Sequence, residues 1–242
     1  MLFKKRYITP GGQVYTLFSD MAKQPHLLIA GATGSGKSVV VNGIIYNLLH
    51  KGPNDAQLIL IDPKRVELVQ WRKMPHCIAY ASEPDNMLSA LYQALKVTEE
   101  RYQGMQRRGL RTYDGGHVYV IIDELADLMT TQKKAVLPVL QRLCQIGRAA
   151  HVHVIACTQC PLREIIPTAV KVNFDARVAL RTRSAQDSRN ILGFTGCEIL
   201  PRYGQGYFMT PEGCDLWKIP MYSSADLADL ADYWTSKKCY QH

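Results

Sequence analysis

The segment GATGSGKS (31–38) satisfies G-x-x-x-x-G-K-[ST], with Gly31, Gly36, Lys37 and Ser38 at its fixed positions. Residues of these types at this spacing suit the capture of a nucleoside triphosphate such as ATP. Gly31, Gly34 and Gly36 let the backbone turn tightly, so that amides from Gly31 through Ala32, Thr33, Ser35 and Val39 line a phosphate cradle. Lys37 is placed to reach the β- and γ-phosphates, and Ser38 to offer an oxygen to Mg2+. A glycine-rich turn can match by chance. Here an apolar run leads into the segment and a helical pattern leaves it, the context the chemistry requires.

A second stretch, VYVIIDELADL (118–128), carries an apolar run into Asp123 and then Glu124. Asp123 suits the Mg2+-side carboxylate, and Glu124 a general base that orients and deprotonates an attacking water. The plainer alternative is a strand capped by solvated acids; a complete phosphate loop in the same chain weighs against it. Triphosphatases with a carboxylate base in this position usually insert an extra strand between the two motif strands. VHVIACT (152–158) is then expected to lie between HLLIAG (26–31) and VYVIIDE (118–124), with Gln159 at its end as the γ-phosphate sensor.

The elements that must position these residues follow from hydrophobic periodicity. Five runs rich in Val, Ile or Leu without strict alternation, at 26–31, 58–62, 118–124, 152–158 and 177–181, predict strands buried on both faces. Helical spacing marks 37–50 (Val41, Ile44, Ile45, Leu48, Leu49), 84–107 (Leu88, Leu91, Leu95, Tyr102) and 132–147 (Val136, Leu140, Leu143, Cys144). A hairpin turning at Pro211-Glu212-Gly213 precedes a last helix capped by Ser223 or Ser224. In that helix Leu227, Leu230, Ala231 and Trp234 face inward; Asp226, Asp229 and Asp232 read as a solvated face rather than a calcium site. The class is α/β, a mostly parallel central sheet flanked by helices, with 1–25 as an N-terminal extension and 26–242 as one domain.

Composition narrows the setting. Lys and Arg outnumber Asp and Glu by 29 to 21, a net charge of +8 that suits a polyanionic partner without requiring one. No apolar run reaches the ~20 residues of a membrane span, and the amino terminus lacks a secretory pattern. The odd number of cysteines, seven, argues for reduced thiols, hence a cytoplasmic setting. Cys157 and Cys160 form C-x-x-C, but no second Cys/His pair completes a zinc site, so Cys157 reads as a small buried hydrophobe. His151 and His153 alternate along a strand with no third ligand nearby, which favours structural histidines over a metal site.

The segments PHLLIAGATGSGKSVVVNGIIYNLL, LILIDPKRVEL, VIIDELADLM, GRAAHVHVIACTQCP and DSRNILG resemble, in order and spacing, the FtsK/SpoIIIE family of DNA-translocating motors. The resemblance runs from about Thr16 to the last helix. It implies a RecA-like, additional-strand P-loop fold and a homo-oligomeric ring, usually a hexamer, that threads double-stranded DNA and hydrolyses ATP between subunits. Arg148 matches the family's trans-acting arginine finger, although without that resemblance a helix C-terminal cap is the favoured reading. Arg189 is a second candidate for the γ-phosphate or the subunit interface. Lys171 falls on a basic DNA-loop position, whereas Cys160 and Ala185 stand where the family carries basic residues; Arg163, Arg181 and Arg183 lie close enough to supply the charge. The chain is too short for the family's additional α/β domain and winged-helix reader, leaving room for a recruiting protein partner. Alternatives are a coupling or secretion ATPase with protein or DNA–protein cargo, and a slow nucleotide-binding assembly module.

Overall fold

A computed structural model describes residues 6–8, 14–16, 23–159, 168–219 and 221–238. The strands β1 (Arg6–Ile8) and β2 (Val14–Thr16) pair antiparallel in a small sheet of their own. Everything that bears on the site is carried by an eight-stranded sheet. Its strands are β3 (Leu27–Ala30), β4 (Ala56–Ile61), β5 (Cys77–Ala81), β6 (His117–Ile122), β7 (Val152–Thr158), β8 (Ala176–Ala179), β9 (Gln205–Thr210) and β10 (Gly213–Lys218). They lie in the order β10-β9-β8-β3-β7-β6-β4-β5. The six from β8 to β5 run parallel, and β9 and β10 add an antiparallel edge. As expected, β7 is inserted between β3 and β6.

The apolar runs divide by strand periodicity. Leu27, Ile29, Leu58, Leu60, Tyr119, Ile121, Ile155 and Cys157 form one buried layer with α1 (Lys37–Leu49), and α6 (Ser224–Lys238) packs over it through Leu227, Leu230, Ala231 and Trp234. Leu28, Ile59, Ile61, Val118, Val120, Ile122, Val154 and Ala156 face the other way, under α2 (Pro84–Arg108) and α3 (Leu125–Ile146). Covering both faces is what allows runs without polar alternation.

Two short helices complete the set: α4 (Thr168–Lys171) and α5 (Ala185–Leu192), beside a 3-10 turn at Val69–Trp71. The Ser184 hydroxyl accepts the Asp187 N–H at 3.1 Å and caps α5. Ser223 and Asp226 form a reciprocal cap at the start of α6, while Asp226, Asp229 and Asp232 stay exposed.

The third long helix departs from expectation. It begins at Leu125, directly after Glu124, rather than at 132, and Gln132 breaks it with non-helical φ −137° and ψ 32°. The position at which periodicity first appears is therefore the break, ahead of Pro138, whose ring removes one helical hydrogen bond. The strand β5 also lies outside the five expected runs. No helix among the described residues is long and apolar enough to cross a membrane.

Candidate functional site

The C-terminal ends of β3, β7, β6 and β4 meet at one edge of the sheet, where open parallel sheets hold their ligands. The loop after β3 is fastened on both flanks: Gly31 N–H donates to Thr158 O (3.3 Å) and Ala32 N–H to Arg181 O (2.8 Å). A Cβ at Gly31 would sit 2.6 Å from Ser35 Oγ and 2.7 Å from Leu180 Cβ, so only glycine fits. Gly36 takes the left-handed conformation (φ 99°) and launches α1, aiming its first amides into the cradle. Lys37 Nζ donates to Gly31 O (2.8 Å) and Ala32 O (3.1 Å), which orients the ammonium across the loop. Burial lowers its pKa, opposed by the nearby charges of Glu124 and Asp123.

The carboxylates arrive from β6. Asp123 N–H donates to Ile61 O (3.0 Å), which pins the carboxylate at the strand end. Burial, with the neighbouring Asp62 and Glu67 charges, raises the Asp123 pKa to about 6, against the pull of Lys64. Glu124 is only 3% exposed. Its two carboxylate oxygens accept the Gln159 N–H at 3.1 and 3.2 Å, and Lys64 Nζ lies 3.5 Å from Oε2. Thr33 Oγ1 donates to Gln159 Oε1 at 2.9 Å. Gln159 thus joins the phosphate loop to the carboxylate beside it. Such an arrangement suits a residue that reports phosphate state to the base.

Two residues here escaped assignment from sequence. Lys64, in IDPK after β4, brings its ammonium to 3.5 Å from Glu124 Oε2. Asp62 is wholly buried, with Oδ2 accepting the Leu68 N–H at 3.0 Å and Oδ1 unpartnered among the described residues. Their position at the end of a parallel strand beside β6 was the available signal. The residues fit a metal-bound nucleotide: glycine backbone where a Cβ would clash, the buried and unpartnered Ser35 hydroxyl, and hard oxygen donors in Ser38 and Asp123.

Arg148 is not part of this edge. It follows α3 at the opposite end of β7, where His151 N–H donates to Arg148 O (3.2 Å), and its side chain is exposed. The seven residues of β7 separate it from Gln159 by roughly 20 Å at strand rise.

The FtsK/SpoIIIE family pattern matches residues 11–120 and 115–163. The chain belongs to the FtsK/SpoIIIE family. Relatives include the DNA translocase FtsK of Rhizobium meliloti, 35% identical over 249 residues that cover 85% of this chain and 28% of that protein. The DNA translocase FtsK of Oceanobacillus iheyensis is 38% identical over 211 residues, covering 78% and 27%. The chain therefore spans less than a third of the length of these relatives. In fold it is similar to the pCW3 conjugation coupling protein TcpA with ATPγS (TM-score 0.81, 20% identity, 96% of this chain and 71% of that one). It is also similar to the cytoplasmic domain of the type VII secretion ATPase EccC of Thermomonospora curvata (TM-score 0.78, 21% identity, 93% and 30%).

Of the basic residues that the FtsK/SpoIIIE resemblance directs to DNA, Arg163 lies outside the described residues, as does Cys160. Lys171 is half-buried, and its ammonium donates to Asn190 O, tying α4 to α5. Arg181 and Arg183 are exposed and line a cleft against the phosphate loop, together with Arg202 and Glu198. Arg189 is exposed on α5.

The cysteine and the two histidines singled out from sequence also take defined places. Cys157 is fully buried and burial pushes its thiol pKa well up, which disfavours a reactive thiolate. His151 stands just ahead of β7 with φ 53° rather than within the strand. His117 supplies a third ring, stacked 4.2 Å from His151 and 2.8 Å from His153 between Nδ1 and Nε2. The other ring nitrogen of His153 donates to Pro25 O, and His151 Nδ1 to Gly115 O. Among the described residues no group of three or more His, Cys, Asp or Glu side chains is set to hold a metal ion.

Proposed function

We propose that this chain is the motor module of an ATP-driven double-stranded DNA translocase, working as a homo-oligomeric, six-membered ring with ATP hydrolysed between subunits. The observation that carries the proposal is the division of the machinery across the sheet. Lys37, Ser38, Asp123, Glu124 and Gln159 gather at one edge, while Arg148 stands roughly 20 Å away at the far end of β7. No side-chain rotation spans that length, so an Arg148 that touches a γ-phosphate touches a neighbour's. Family membership and the charge of +8 support duplex DNA as cargo.

In this scheme the amides of 31–39 and Lys37 bind the triphosphate, and Ser38 and Asp123 are the residues that would hold Mg2+. When bound, that ion neutralises phosphate charge and polarises the transferring group. Glu124 takes a proton from the attacking water. Its low exposure keeps it out of bulk solvent, and the Gln159 N–H fixes its direction. Arg148 of the adjoining subunit adds positive charge as the phosphoryl group transfers. Hydrolysis is then gated by ring geometry.

The test is the ATPase rate against protein concentration, with and without linear duplex DNA. The expected result is a specific rate that rises with concentration, rises again with DNA, and disappears in Lys37→Ala and Glu124→Gln. A rate indifferent to concentration and DNA, in a protein that does not bind duplex at low salt, would refute the proposal. A coupling ATPase with DNA–protein or protein cargo is the second reading, favoured by Ala185 in a basic position of the family and by Lys171 being held on Asn190. It predicts retained ATPase activity with a protein substrate in place of duplex affinity.

A further inference from the structure

We propose that Arg202 is a cis-acting cation of the nucleotide site. On this inference the cleft that Arg202 shares with Arg181 and Arg183 takes the polyphosphate chain of a bound nucleotide rather than DNA. The inference rests on the nucleotide-binding reading and adds to it a residue outside every motif of the sequence.

Arg202 lies in the exposed turn ahead of β9, distant in sequence from the phosphate loop. Yet its Nη2, Nε and Cζ lie 3.2, 3.6 and 3.8 Å from where a Cβ on Gly34 would sit. The guanidinium therefore lies against the middle of the loop, and a side chain at position 34 would push it away. The ring of Tyr203, with its centroid 5.3 Å from the Arg202 Cζ, supports the guanidinium from its own turn.

Charge points the same way. The cleft, about 460 Å³, runs along the loop from Ala32 to Ser35 and is lined by Arg181, Arg183, Arg202 and one carboxylate, Glu198. Glu198 already accepts the Gly196 N–H at 2.8 Å. Among the described residues no carboxylate forms an ion pair with any of the three arginines. Three guanidinium groups lining one cleft beside a loop whose amides also present positive dipoles favour an anion there. The Ser35 hydroxyl, 2% exposed and unpartnered among the described residues, lines the same cleft and offers a further donor. Arg181 is coupled to the loop directly, since its carbonyl accepts the Ala32 N–H. A planar guanidinium that donates two parallel hydrogen bonds is the side chain best matched to phosphate oxygens.

The experiment measures affinities of Arg202→Ala and Arg202→Lys, with Lys37→Ala as control, by displacement of a fluorescent nucleotide. A non-hydrolysable ATP analogue, ADP, AMP and inorganic phosphate are the competitors, and a labelled duplex is titrated separately at the same low salt. Arg202→Ala is expected to weaken the ATP analogue about tenfold, AMP far less, and duplex DNA by less than twofold. Arg202→Lys should recover part of the loss. Weakened competition by inorganic phosphate alone would place the anion off the nucleotide and overturn the inference. Duplex affinity lost with ATP affinity kept would assign the cleft to DNA and overturn it as well. If Lys37→Ala abolishes nucleotide binding while Arg202→Ala leaves it unchanged, the role of Arg202 falls and the nucleotide site stands. If Lys37→Ala also has no effect, the nucleotide reading itself falls.

Discussion

Arg148 and Glu124 stand at opposite ends of the same sheet, so a mixture of two inactive variants can recover activity only across an interface. Glu124→Gln removes the proposed base while leaving the arginine. Arg148→Ala removes the arginine while leaving the base. Each variant alone is expected to lose hydrolysis, Arg148→Ala by about a thousandfold or more if it stabilises the transferring phosphoryl group in trans. In an equal mixture, a working interface needs an Arg148→Ala subunit offering Glu124 and a Glu124→Gln subunit offering Arg148. With random assembly in a head-to-tail ring, each condition is met half the time, so about a quarter of interfaces are intact. Turnover should therefore rise from near zero to about a quarter of the wild-type rate when interfaces fire independently. The assay is steady-state phosphate release on linear duplex DNA, with the ratio varied. A mixture no more active than the mean of its components would refute action in trans. The roughly 20 Å of β7 rules out action in cis within this fold, so that result would also remove Arg148 from the chemistry.

Two further outcomes follow from individual contacts. Gln159→Ala severs the link to Thr33 but keeps the backbone N–H that binds Glu124, so it should lower turnover by about a hundredfold while ATP affinity stays within a few-fold; unchanged turnover would show that the side chain senses nothing. His26 is buried and neutral, donating from Nε2 to Cys144 O and accepting the Val154 N–H on Nδ1, and burial lowers its pKa from 6.5 to about 4. Protons then bind the unfolded chain first as pH falls, so the stability present above pH 6.5 is lost towards pH 4, by about 3 kcal/mol at 1.36 kcal/mol per pH unit. Urea midpoints at pH 7 and 4.5 measure this, and a pH dependence in His26→Gln as steep as that of the parent would contradict it.

What could be read from sequence depended on whether the signal was local. The phosphate loop, the Asp123-Glu124 pair and β7 (Val152–Thr158) are each fixed within a few neighbouring residues, and even the insertion of β7 between β3 and β6 followed from where Glu124 sits. The start of α3 was hidden because its first turns precede the break at Gln132, so the apolar period becomes regular only beyond it. The strand β5 is a short edge strand whose residues are mostly half-buried, which weakens its pattern. The short helix α5 lay outside the expected helices, and its Ser184–Asp187 cap was the one local signal available for it. Lys64, Arg202 and His117 acquire their partners only through tertiary contact. Lys64 meets Glu124 because β4 pairs with β6, and Arg202 meets Gly34 because the antiparallel edge folds back beside β8.

The strand β7 carries a mechanical consequence of the trans assignment. Every residue of it is buried, and it is paired with β3 on one side and β6 on the other. A strand held by two ladders and two packed layers moves as a unit rather than bending. At one end Gln159 contacts Thr33 and Glu124 of its own site; at the other Arg148 is presented outward on the turn closed by His151. With Arg148 acting on a neighbour, a displacement of Gln159 driven by phosphate state reaches the adjoining site through one rigid element. No separate relay is then required. Cys157, fully buried within this element, packs there as a small hydrophobe.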